Sequence, residues 1–190
     1  MCGWRATCSA HVLAFDGTYM EDGVVIAKPL TLRAEDSDVE LLGQSTNGTV
    51  VDVRTGGVTI EGMVFSHAFN APGMTGVAAT KLQGVILRGI KAFDLETGVR
   101  ALEVQDMTLE ASEITGSHAN GVEVLGSMDF TIGGSGNNVS DNEGRGIWVD
   151  GSHIGTIADN MITGNGLTGL NVSYSQDITV RNNTIENNGA

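Results

Sequence analysis

From residue 169 to residue 190 the chain alternates apolar and polar residues and fills the intervals with asparagine: GLNVSYSQDITVRNNTIENNGA. Each alternating run is short, and an apolar spacing of two indicates strands rather than helices. Similar text recurs upstream as GIWVDGSHIGTIADNMITGNGLT (146–168) and GVEVLGSMDFTIGGSGNNVSDNEGR (121–145). Each line opens on glycine, an apolar residue, any residue and then valine. A polar turn, a second alternating pair and a lone apolar residue among Asn and Gly complete it.

The second pair can be followed up the chain as Ile178/Val180, Met107/Leu109, Val85/Leu87, Val58/Ile60 and Leu30/Leu32. Successive first members stand 28, 27, 22, 23, 25 and 23 residues apart when Gly155 takes the slot in the sixth line. That period is too short for a helix–turn–helix repeat. Short strands separated by sharp turns bury their apolar residues only by stacking like upon like, in parallel sheets around a continuous core. The expectation is an all-β, single-stranded parallel β-helix of about seven coils of 22–28 residues. Leu30, Leu32, Val58, Ile60, Val85, Leu87, Met107, Leu109, Ile132, Ile157, Val180 and Ile185 are expected to point inward.

The asparagines then become corner residues. Asn tolerates left-handed backbone, and its side chain bonds neighbouring main-chain groups. Asn160 and Asn183 share one slot, held further up by Ser112 and Met63, so they are expected to form a ladder along the axis. Eleven of the thirteen asparagines lie from Asn120 onward.

Composition agrees with this. Glycine is 27 of 190 residues and proline only two, against an ordinary glycine share of about 7%, which favours a turn-rich β protein. A net charge of −13 excludes nucleic acid as a partner, because phosphate binding needs clustered Lys and Arg. No apolar run of 18 residues exists, so no transmembrane helix is expected. Residues 1–15, with Trp4, Val12, Leu13 and Phe15, lack repeat character and are expected to cap residues 16–190. Cys2 and Cys8 in that segment leave a local disulfide, a metal site or inert thiols open. An intact coil at the C-terminus suggests further coils or domains in a longer chain, or end-to-end contact between copies.

The stretches GTY (Gly17 to Tyr19), VVIAKPLTLR (Val24 to Arg33) and VTIEG (Val58 to Gly62) resemble the entry coils of right-handed β-helix proteins. The resemblance is to the NosD-like, carbohydrate-binding and sugar-hydrolysis (pectate-lyase-like) superfamily, and it extends over nearly the whole chain from Asp16. It implies a right-handed coil and an extracellular, cell-surface or periplasmic protein associated with carbohydrate. Ala34 stands where such entry motifs carry glycine. The Asp-Pro-His-Asp of alginate epimerases and the aspartate cluster of polygalacturonases are absent, so no catalytic residues are assigned. His11, His67, His118 and His153 are scattered, which speaks against a copper role.

With the lines stacked, the strand after each opening residue presents one outward column, read as Ala78, Glu103, Glu123, Trp148 and Asn171. Arg100 and Arg145 stand just before the openings taken as Ala101 and Gly146. The preceding turns add His118, Asp141 and Glu143. Rungs lie about 4.8 Å apart, so Glu103 and Glu123 would approach the carboxylate separation of retaining glycosidases. They could instead hold Ca²⁺ against an acidic sugar with an Arg as base, with Asp141 and Glu143 as weaker Ca²⁺ candidates. A solvated sheet face is the third reading of the same column. Substrate binding is therefore expected at Arg100, Glu123, Arg145, Trp148, Glu103 and His118, with the exposed indole covering a sugar face. The segment Ser66 to Gly76, with Pro72, could wall a cleft with His67 at its base. The functional expectation is a polysaccharide-binding domain without catalysis and without a required cofactor. Its rivals are a lyase, hydrolase or epimerase acting on acidic polysaccharide, and a structural spacer or adhesion module.

Overall fold

The computed structural model describes residues 10–36, 39–69 and 73–189. Among them there is no helix, and hence none long and apolar enough to cross a membrane. Three all-parallel sheets run the length of the molecule. The first has eight strands, from Ala10–Ala14 and Leu30–Ala34 to His153–Ala158 and Gln176–Arg181; the second has eight, from Gly17–Met20 to Thr184–Glu186. The third has seven, from Val24–Ile26 to Leu170–Ser173. Each strand pairs with its counterpart one coil away and never with its sequence neighbour, so the chain is a solenoid of about seven turns.

In the first sheet the register bears out the repeat alignment. Leu32, Ile60, Leu87, Leu109, Ile132, Ile157 and Val180 form one inward column. Gly155 does occupy the slot between Phe130 and Ile178. A side chain there would collide with the Phe130 ring, which fills the space that the glycine leaves. Val58, Ile60, Val85, Leu87, Met107, Leu109, Ile132 and Ile157 are all at most 2% exposed. Val180 and Ile185 are 47% and 45% exposed instead, because they lie in the last coil with no rung over them. Leu30, near the other end, is half-buried.

The corners solve the harder problem, because a sharp turn leaves buried backbone N–H and C=O groups without strand partners. Between the first and second sheets, Asn137 Nδ2 donates to the Leu109 carbonyl at 3.0 Å and to Asn160 Oδ1 at 2.8 Å, while Asn137 Oδ1 accepts from the Ser112 N–H at 3.0 Å. Asn160 repeats the pattern with Asn183, as the shared slot predicted. A second ladder, Asn142–Asn165–Asn188, occupies the corner between the second and third sheets. A third, Ser127–Ser152–Ser175, lies between the third and first. Left-handed backbone recurs beside these ladders, for example at Asp94, Asp141 and Asn187 in one corner and at Lys81, Glu103 and Tyr174 in another.

Of the segment expected to cap the solenoid, Ala10–Ala14 is the edge strand of the first sheet, paired in register with Leu30–Ala34. Val12, Leu13 and Phe15 are exposed there. Cys2, Trp4 and Cys8 lie outside the described residues.

Leu109 is fully buried between Leu87 and Ile132, so Leu109→Ala is expected to cost about 2–5 kcal/mol in denaturant unfolding. Asp22 supplies a pH test. Its carboxylate accepts from the Ser45 hydroxyl at 2.7 Å and from the backbone N–H groups of Gln44 and Ser45 at 2.6 and 2.9 Å. These bonds, the Ser45 hydroxyl foremost, hold its pKa below the usual carboxylate value. A lowered folded pKa contributes stability above the unfolded value of about 3.9 and loses it as pH falls through the folded value. Melting temperatures taken from pH 5 down to pH 2.5 should fall less steeply in Asp22→Asn than in the parent protein.

Candidate functional site

In the last five strands of the third sheet a glycine stands at or near the start: Gly76 and Gly98 lie inside their strands, and Gly121, Gly146 and Gly169 stand one residue before theirs. A side chain at Gly76, Gly98, Gly121 or Gly146 would run into the carbonyl of the corresponding glycine in the next coil. The motif's opening glycine is therefore a packing requirement: only a bare backbone lets the corner turn inward against the neighbouring rung. Two residues later the chain faces outward, and that column reads Asp52, Ala78, Arg100, Glu123, Trp148 and Asn171.

This corrects one expected member. Arg100, not Glu103, stands between Ala78 and Glu123, because that rung opens at Gly98 rather than at Ala101. Glu103 lies past the strand end, in left-handed backbone at the corner, with its carboxylate 3.6 Å from Lys81 Nζ. The Glu103–Glu123 pair does not form, and the retaining-glycosidase arrangement goes with it.

Opposite charges stack where like charges were expected. Arg100 Nε donates to Glu123 Oε2 at 2.6 Å, and Asn120 Nδ2 donates to Glu123 Oε1 at 2.8 Å. The Glu123 side chain is 6% exposed and both its oxygens are engaged. Asn120, which the sequence reading did not single out, also accepts the Arg145 backbone N–H at 2.9 Å, so it joins two rungs. Arg145 extends over Trp148, its guanidinium carbon 5.2 Å from the ring centroid. The indole, expected to be exposed, is half-buried, with one face against the Arg145 guanidinium.

On the adjoining corner His118 Nδ1 lies 3.1 Å from Glu143 Oε1, and the His118 side chain is 13% exposed. Asp141 occupies a left-handed corner slot below Gly164. No group of three or more His, Cys, Asp or Glu among the described residues is placed to hold a metal ion, and Asp141 and Glu143 do not converge with others into such a group. His67 is buried at the start of the Ser66 to Gly76 segment, its Nε2 2.8 Å from the Ser45 carbonyl oxygen and its ring edge-on to Phe69. Residues 70–72 of that segment, Pro72 included, lie outside the described residues.

Arg100, Asn120, Glu123, Arg145 and Trp148 thus form one surface, continued at its border by His118 and Glu143. Chemically it offers a flat indole–guanidinium stack beside a fixed array of hydrogen-bonding groups. Its structural weight can be measured. Glu123→Ala leaves Asn120 Nδ2 and the Arg100 guanidinium without their acceptor, and a loss of about 1–3 kcal/mol is expected in denaturant unfolding. Glu123→Gln, which keeps an acceptor in place, should lose less.

The solenoid is shared with solved structures of low sequence identity. A periplasmic alginate epimerase superimposes with a TM-score of 0.61 at 12% identity, over 90% of this chain and 51% of that one. A glycosyl hydrolase from Parabacteroides merdae, itself assigned only provisionally, gives 0.60 at 13% identity, over 80% and 79% of the two chains. The A-module of a mannuronan C-5 epimerase from Azotobacter vinelandii gives 0.54 at 15%, over 95% and 68%. The chain spans about half the length of the first of these. No curated protein sequence matches it. The family model described as the right-handed β-helix region matches residues 73–190, more than half of the chain, and the protein belongs to the right-handed β-helix family.

Proposed function

We propose that the protein binds polysaccharide on the outer face of its third sheet and does so without catalysis, as an extracellular, cell-surface or periplasmic domain. The observation that carries this reading is the Arg145–Trp148 stack. A half-buried indole backed by a guanidinium presents an apolar plane with charged donors at its edge, which is the chemistry that a sugar ring and its hydroxyls require. The neighbouring Arg100–Glu123–Asn120 network keeps that surface rigid, so little ordering is needed on binding.

The structural neighbours support the substrate class: two are named as epimerases of alginate or mannuronan and one as a glycosyl hydrolase. The absence of catalysis is argued from Glu123. A general acid or nucleophile must reach its substrate, whereas this carboxylate is buried and committed at both oxygens. Glu103, its expected partner, is paired toward Lys81 on another edge.

A glycan array run with and without Ca²⁺ tests the reading. Trp148→Ala should remove binding while leaving the circular dichroism spectrum and melting temperature near those of the parent, because the side chain is outside the core. Retention of full binding by that variant would sink the assignment of this face.

A further inference from the structure

The outer face of the first sheet carries a second surface. In the alternating pairs that build this sheet, the residue between the two inward positions is Thr31, Thr59, Thr108, Thr131, Thr156 and Thr179, interrupted once by Ile86, all in register. A hydroxyl column about 4.8 Å per rung therefore runs along the solenoid. Beside it six successive strands are entered through a residue in left-handed backbone: Gly57 (φ 70°), Gly84 (φ 75°), Asp106 (φ 55°), Asp129 (φ 54°), Ile154 (φ 50°) and Asp177 (φ 55°). Two clefts lie along this face. One cleft of about 550 Å³ covers Thr31 to Asp129, and a second of about 270 Å³ runs from Asp129 to Thr179, so the two meet at Asp129.

Asp and Gly are ordinary residues for such a position, and by themselves they signify only the turn. Ile154 is different. A β-branched residue in left-handed backbone is strained, and its side chain is 51% exposed, so no burial compensates. The inward space of its rung is filled by the Phe130 ring over Gly155, not by Ile154. The fold therefore keeps a strained apolar residue in the lining of a polar cleft, in register between Asp129 and Asp177 of the neighbouring rungs.

We infer that this trough is a saccharide-binding face in its own right, taking a linear, uncharged, hydroxyl-rich polysaccharide along the solenoid axis. Ile154 supplies the contact for the C–H face of a sugar ring. The threonines exchange hydrogen bonds with hydroxyls at each rung, and Asp129 and Asp177 accept from hydroxyl pairs. A polyuronate or a nucleic acid would meet the aspartates with like charge, in a chain of net charge −13. An extended peptide finds no free main-chain partners, because the trough is a sheet face whose N–H and C=O groups are already used between rungs. This inference stands on the cleft and on Ile154, and it does not depend on the reading of the third sheet.

Cellohexaose, β-1,4-mannohexaose, laminarihexaose and, as a charged control, hexamannuronate can be titrated into the ¹⁵N-labelled protein, with amide shifts followed by NMR. At least one neutral hexasaccharide should shift the amides of His153–Ala158 and Gln176–Arg181, and those shifts should persist in Trp148→Ala. Ile154→Asn, which suits the left-handed backbone, should weaken that binding tenfold or more with a melting temperature unchanged or raised. The inference is overturned if none of the neutral hexasaccharides shifts these amides. Parent-like affinity in Ile154→Asn or tighter binding of hexamannuronate in the trough would overturn it equally. Loss in Trp148→Ala of shifts confined to the third sheet would bear on that face alone.

Discussion

A coil of this solenoid can exist only if the main-chain groups at its three corners find partners, since the strands account for their own through the rungs on either side. The Asn137–Asn160–Asn183, Asn142–Asn165–Asn188 and Ser127–Ser152–Ser175 ladders meet that demand. Each amide both accepts from one buried N–H and donates to a buried carbonyl. A buried amide left unmatched would cost about 1–3 kcal/mol, so one broken corner weighs as much as a core cavity. Because the ladders bond rung to rung, they also lock the register, and the register places every outward column.

That placement explains the character of the third sheet. Stacking puts side chains of successive coils within direct reach, so like charges in one column would be unfavourable and opposite charges favourable. Arg100 below Glu123, and Arg88 between Glu61 and Glu110 on the first sheet, both follow this rule. Glu123 differs from the other two acids in being almost wholly buried, and the added bond from Asn120 is what allows a carboxylate there. The same bond network brings Arg145 alongside Trp148.

The first sheet shows the opposite use of a column. Its left-handed turn position is a structural device that Asp and Gly fill comfortably. Ile154 departs from the local rule without gaining burial. A local rule broken without visible compensation is where function is expected to have acted.

Periodicity by itself determined the fold, the core and the corner role of asparagine, because stacking forces one residue type into one slot over many coils. Even Gly155 was legible, since the spacing left it no other position. The threonine column was equally present in the text, as the middle residue of LTL, VTI, MTL, FTI, GTI and ITV, but as a surface feature it gained meaning only beside the clefts that the folded chain forms along it. Glu103 was misplaced because its rung has Ala101 where the three rungs after it carry Val124, Val149 and Val172, and that small inward residue concealed the true opening at Gly98. Only the tertiary structure decided that Glu123 is buried and paired, that Arg145 covers one face of Trp148, and that Val180 and Ile185 stand exposed. Those outcomes depend on what lies one rung away, some 22–28 residues distant in sequence, and local pattern carries no record of it.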